Sequence, residues 1–107
     1  MVSMSREEII QHLVATLAQE KEVRDIYLFG SSVGSFVRPD SDIDLLLTSS
    51  TALPMHRRAG PLYRKITSPL PVDLIVYTPE EFNRKKNVLN TLPYEVSRKG
   101  KIIYSHP

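Results

Sequence analysis

The sequence predicts an α/β fold, a small mixed sheet with helices packed on it. Three observations predict it. Strand-length runs rich in Ile, Leu, Val and Tyr alternate with segments that open on helix caps. Two of those runs, residues 42–48 and 72–77, are apolar on both faces apart from their first residues, as strands inside a layered fold are. The chain has 107 residues, enough for one core and one domain over residues 1–107, of which folding buries roughly two thirds of the unfolded surface.

Ser5 with Glu8 three residues on is a capping box, and it opens a helix reaching about Lys21. Ile9, Ile10, Leu13 and Leu17 form the stripe that this helix buries. Residues 23–29 read as the first strand, and residues 30–35 as a turn entering a short helix. Pro39 makes residues 38–41 a turn, because it fixes its own φ and disfavours helix before it. Residues 42–48 form the second strand. Residues 54–65 carry a helix that Gly60-Pro61 should break or kink. Residues 72–77 form the third strand. Thr78-Pro79-Glu80-Glu81 combines an N-cap, proline at the first helical position and glutamate at the third, a strong helix start. A last helix over residues 93–99 stops at Gly100, and residues 101–104 form a short edge strand.

Composition narrows the function classes. The 41% hydrophobic and 24% charged fractions are ordinary for a soluble globular protein. Cysteine is absent, which excludes disulfides and thiolate chemistry. The N-terminal residues lack a basic-then-apolar signal pattern, and no apolar run approaches a membrane span, so the expected location is cytoplasmic. A net charge of +2 does not indicate direct nucleic-acid binding. The basic residues do cluster: Arg57, Arg58, Arg64 and Lys65; Arg84, Lys85 and Lys86; Arg98, Lys99 and Lys101. Such clusters are mostly solvated helix faces or ends, and one of them could meet a polyanion. His12, His56 and His106 are scattered, which argues against a zinc site. Tyr63 and Tyr77 could stack on a base but suit partial burial better, while Met55 and Leu62 suit packing.

The chemistry gathers at strand ends. In the second strand Asp42, Asp44 and Leu46 share one face; in the third, Asp73, Ile75 and Tyr77 do. Carboxylates at the mouth of a buried strand are costly unless a cation lies between them, and Mg²⁺ takes carboxylate and phosphate oxygens together. If the two strands are neighbours, the three carboxylates converge. Turn and cap chemistry explains Asp40 well and Asp42 partly, but it explains Asp44, inside an apolar run, poorly. Gly30-Ser31, directly after the first strand, can cradle phosphate: glycine admits close approach, and a helix start adds N–H donors. The Gly-Lys-Ser/Thr ending of a P-loop is missing.

Phe29-Gly30-Ser31, Arg38-Pro39-Asp40-Ser41-Asp42-Ile43-Asp44-Leu45-Leu46 and Pro71-Val72-Asp73-Leu74-Ile75 together resemble the minimal nucleotidyltransferases of the DNA polymerase beta superfamily. That group includes antitoxin partners of HEPN-domain toxins. The resemblance implies a nucleotidyltransferase, palm-like fold. It implies that Asp42 and Asp44 hold two Mg²⁺ ions, and that Asp73 binds the catalytic ion and helps deprotonate an acceptor hydroxyl. Gly30 and Ser31 would grip the nucleotide phosphates, with ATP as substrate. Many members carry Gly-Ser-Arg-Ala-Arg-Gly in the turn, whereas this chain has Gly30-Ser31-Ser32-Val33-Gly34-Ser35, without either arginine. The implied activity is Mg²⁺-dependent transfer of AMP to a tyrosine on a HEPN toxin, in the manner of a type VII antitoxin. A binding module that neutralises its partner by contact is the competing class. A chain this small would also gain by pairing with a second copy.

Overall fold

Ser5 accepts a hydrogen bond from the Glu8 amide, and the Glu8 carboxylate accepts one from the Ser5 amide, so the helix entry predicted there forms. In the computed structural model, residues 4–107 are described; residues 1–3, part of the stretch that lacks a signal pattern, lie outside the described residues. The first helix, α1, runs Arg6–Leu17 and buries Ile9, Leu13 and Leu17. It ends four residues short of the expected Lys21: Ala18 caps it, and turns at Gln19 and Glu20 lead into the sheet.

Strand β1, Val23–Leu28, leads to a single 3₁₀ turn at Gly30–Ser32 rather than to the start of an α-helix. Strand β2 is Ile43–Ser49, and a second 3₁₀ turn covers Met55–Arg57. Helix α2 is only Ala59–Tyr63, so the predicted helix over residues 54–65 is divided, though not at Gly60-Pro61. Pro61 falls in the first turn of α2, where its missing N–H has no intrahelical partner to lose. Strand β3, Val72–Tyr77, has the predicted bounds. Helix α3, Pro79–Lys85, starts on the Thr78–Glu81 capping box, and α4 spans Leu92–Lys99. Strand β4, Lys101–Ser105, closes the chain's path as an edge strand.

The sheet order is β3-β2-β1-β4, with β1 antiparallel to β2 and β4, and β2 parallel to β3. The mixed α/β sheet is therefore as the sequence predicts, and β2 is central. One face packs α1 and Leu62 of α2 against Ile26, Leu28, Ile43, Leu45, Leu47, Leu74 and Val76. The other packs Leu46 against Phe82 of α3 and Val96 of α4, with Tyr27 stacked on Phe82 at 5.3 Å. Alternation along β2 thus feeds both layers, which is why its middle, Leu45, Leu46 and Leu47, is apolar on both faces.

The outer edge of β3 is sealed by side chains. The Tyr63 hydroxyl accepts the Leu74 amide at 2.7 Å, and Arg58 donates to the Val76 carbonyl at 3.3 Å. Arg58 also forks onto Glu81 at 2.6 and 3.1 Å and donates to the Leu53 carbonyl. Edge strands left open invite pairing with other chains, and these contacts occupy two of the edge's backbone groups. Gly100 is required by closeness rather than by its extended backbone: a Cβ there would lie 2.6 Å from the Val96 carbonyl oxygen and 2.9 Å from that of Leu28.

Gly100→Ala is expected to destabilise by about 1–3 kcal/mol, since both neighbours are backbone and cannot yield; chemical denaturation measures it. Arg58 hydrogen bonds, then the Thr78 amide, hold Glu81 from its ordinary 4.5 down to about 2. A carboxyl with a depressed folded pKa adds stability above its unfolded pKa and loses it as pH falls. The stability gap between wild type and Glu81→Gln should therefore be full at pH 7 and close progressively between about 4.5 and 2. A gap constant across that range would contradict the ion pair's role.

Candidate active site

Strands β2 and β3 run in parallel with Asp44 directly opposite Asp73. Both residues are second in their strands, so their side chains stand at the same end and on the same face of the sheet. This is the face that α3 and α4 cover further along, through Leu46 and Phe82. The helices leave the strand starts open: Asp44 is half-buried and Asp73 exposed.

The Gly30–Ser32 turn lies across Asp44. The Ser31 hydroxyl donates to Asp44 Oδ2 at 3.1 Å. Gly30 has φ +60°, a left-handed conformation, and a Cβ on it would sit 2.9 Å from Asp44 Oδ2. Both requirements select glycine: an L side chain would strain the backbone and press on the carboxylate. The Phe29 amide, one residue before, donates to the Asp44 carbonyl at 3.1 Å, continuing the β1–β2 ladder up to the turn.

Electrostatically Asp44 is pulled in opposite directions. Burial raises its pKa above the usual carboxylate value, the Ser31 hydroxyl opposes that rise, and the neighbouring Asp73 carboxyl adds to it. Two carboxylates held side by side without a compensating cation are a like-charge pair, and a hard divalent ion accepts this oxygen-only donor set. Asp44, Asp73 and the Ser31 hydroxyl therefore fit a Mg²⁺ ion in donor chemistry.

The sequence-predicted residues do not all meet. Gly30, Ser31, Asp44 and Asp73 come together. Asp42 lies one residue before β2, with an exposed side chain, and its carbonyl rather than its carboxylate is engaged. Among the described residues no three His, Cys, Asp or Glu side chains are gathered as a ready metal site. The expected convergence of three carboxylates is thus found for two. The strand begins at Ile43, so the alternation that would align Asp42 with Asp44 has not started where Asp42 stands. The short helix expected at the turn is a single 3₁₀ turn, and the Ser32 and Val33 amides are spent inside it.

Two residues at the site were not singled out in the sequence. Ser32 is buried; its hydroxyl accepts the Asp44 amide at 2.9 Å and donates to the Asp42 carbonyl at 3.2 Å. Arg6, from the first turn of α1, donates to the Ser41 carbonyl at 2.5 Å, the Asp42 carbonyl at 3.0 Å and the Ser32 hydroxyl at 3.2 Å. A serine in a turn and an arginine near a helix cap have too many ordinary uses to be noticed without the fold.

The Gly-Ser turn after β1 and the aspartates opposite each other on β2 and β3 thus lie together at one end of the sheet. The nucleotidyltransferase domain family matches residues 10–95, and the chain belongs to that family. Domains of this kind generally use a nucleoside triphosphate and a divalent metal. No curated protein is similar enough to be matched. Among solved structures, two mutant forms of a toxin–antitoxin MntA–HepT crystal structure are similar. One is 22% identical over 97% of this chain and 75% of that chain, with a TM-score of 0.51; the other is 21% identical over 96% and 75%, with a TM-score of 0.50. A further structure of that toxin–antitoxin pair is 23% identical over 94% and 70%, with a TM-score of 0.47. The first two show that the fold is shared. No described helix is long and apolar enough to cross a membrane.

Gly30→Ala should cost about 1–2 kcal/mol from the left-handed backbone alone and should displace the Asp44 carboxylate; thermal unfolding and Mn²⁺ titration read the two effects separately. Because the pKa of Asp44 is raised, its ionised form costs stability above the ordinary carboxylate value of 3.8, and the cost disappears below it. In chelator at pH 7, Asp44→Asn should therefore melt above wild type, and the difference should vanish in acid. A lower melting temperature at pH 7 would refute this electrostatic account.

Proposed function

We infer that this chain is an antitoxin that transfers AMP from ATP to a tyrosine hydroxyl of a HEPN-domain toxin partner. The observation that carries the reading is the in-register pair Asp44 and Asp73 beside the Gly30–Ser31 turn, in a member of the nucleotidyltransferase domain family. The toxin–antitoxin pair whose fold is shared supports the choice of partner. The resemblance implies two Mg²⁺ ions on Asp42, Asp44 and Asp73. In this reading Asp44 and Asp73, the pair that the register brings together, would hold Mg²⁺, which would neutralise phosphate charge and lower the acceptor hydroxyl's pKa.

The chain's own residues bind and orient. The Ser31 hydroxyl exchanges Asp44 for a phosphate oxygen, and Gly30 lets the phosphate approach the backbone. Asp73, exposed beside Asp44, takes the proton of the acceptor hydroxyl. The acceptor oxygen bonds to the α-phosphorus, the bond to the β-phosphate oxygen breaks, and pyrophosphate leaves. Positioning and charge neutralisation supply the rate, with no covalent enzyme intermediate. In this reading the chain is one domain over residues 1–107 acting in the cytoplasm.

A second reading, a module that silences its partner by contact alone, is favoured by one observation: the described residues gather no group of three metal-ligating side chains. ATP labelled at the α-phosphate, incubated with Mg²⁺ and lysate of the source cell, separates the two. Transfer predicts label on a discrete protein from the α position only. It also predicts loss of label, by at least about 10²-fold, in Asp44→Asn and in the Asp42→Asn/Asp44→Asn pair. Full labelling by Asp44→Asn would refute the transferase reading. A stable complex without label would establish the module.

A further inference from the structure

We propose that Arg6 and Ser32 are positioning residues that set the divalent-cation affinity of the site by fixing the entry of β2 against the Gly30–Ser31 turn. The proposal rests on the transferase reading for its purpose, but its geometry stands independently. Asp42 and Asp44 flank Ile43, where irregular chain becomes strand. The Pro71 carbonyl takes the Ile43 amide and the Phe29 amide donates to the Asp44 carbonyl, which leaves the Asp44 amide and the Asp42 carbonyl to be held by side chains.

Ser32 fills that gap. Its one hydroxyl accepts the Asp44 amide and donates to the Asp42 carbonyl, so it bridges the backbone of both aspartates from the turn that carries Ser31. Arg6 then closes over this bridge. Its guanidinium reaches the Ser32 hydroxyl and the Ser41 and Asp42 carbonyls from the start of α1, thereby linking three separate segments. A rigid planar fork suits three convergent acceptors; a lysine ammonium, a point charge on a flexible stem, does not. Ser32 and the Arg6 head group are thus joined, and loss of either removes the same constraint.

The arrangement also bears on the missing turn arginines. The turn holds Ser32 where many nucleotidyltransferases carry arginine, and Ser32 is itself hydrogen-bonded by a guanidinium, that of Arg6 from α1. Here it is spent on carbonyl and hydroxyl oxygens rather than aimed outward, so its effect is on where the carboxylates stand.

The test is Mn²⁺ binding to the folded chain without nucleotide, read by water-proton relaxation, well below the melting temperature of each variant. Wild type, Arg6→Gln, Arg6→Lys, Ser32→Ala, Asp44→Asn and the Arg6→Gln/Ser32→Ala double variant are compared. The expected result is a Mn²⁺ site abolished by Asp44→Asn and weakened about tenfold or more by Arg6→Gln or Ser32→Ala. The double variant should bind about as well as the weaker single, because the pair acts as a unit. Arg6→Lys should not restore affinity. A merely structural role would lower the melting temperature and leave the affinity of the folded protein unchanged, and that result overturns the proposal. So does a wild type with no Asp44-dependent Mn²⁺ site. Arg6→Gln, at a half-exposed helix start, keeps the test decisive if Ser32→Ala unfolds. Label transfer by wild type is scored separately, so failure of the transferase reading is told apart from failure of this one.

Discussion

The parallel pairing of β2 with β3 is the constraint on which the site depends. Side chains alternate along a strand, so a one-residue slip would send Asp73 to the opposite face and leave Asp44 opposite a core residue. Both layers of the core resist that slip. Leu45, Leu47, Leu74 and Val76 are committed to the α1 side, while Leu46 is committed to α3 and α4. The hydrophobic pattern thus selects the register, and the register brings two carboxylates together as a consequence.

Among the described residues strand β3 has a strand neighbour on one side only, so what holds its other side matters as much. Arg58 and Tyr63 occupy backbone groups there, and Arg58 joins the same edge to the cap of α3 through Glu81. A charged side chain buried so deeply is stable because every direction of its fork finds an acceptor. The basic cluster around residues 57–65 is therefore partly structural. Lys65 likewise pairs with Glu20, and Lys99 with Glu95, while Arg98 lies over the ring of Tyr94. Arg84 and Lys85, and Arg98 and Lys99, occupy last helical turns, where positive charge complements the helix dipole. Helix ends thus account for part of the chain's clustered positive charge.

The site is held at a local cost. Gly30 takes a left-handed conformation, Asp44 is half-buried, and a second carboxylate stands beside it. None of these stabilises the fold, and each is what cation and phosphate chemistry requires: close backbone approach, oxygen donors and uncompensated negative charge. Ser31 illustrates the compromise. Its hydroxyl hydrogen-bonds to Asp44 and softens the negative charge there.

Residue chemistry read along the chain determined a good deal by itself. The caps at Ser5 and Thr78, the strands over residues 23–29, 42–48 and 72–77, and the edge strand after Gly100 are local signals of hydrogen bonding and periodicity. They survive folding because the core agrees with them. Asp44, Asp73 and Gly30-Ser31 were legible because they interrupt apolar runs or follow one directly. The tertiary structure alone decided that β2 and β3 are neighbours and parallel, since strand order depends on packing between distant segments. It also decided that α1 stops at Leu17 and that the turn after β1 never becomes an α-helix. Asp42 stands just outside β2, its carbonyl held by Ser32 and by Arg6 from α1. Such contacts join residues remote in sequence, and no local pattern of residue types announces them.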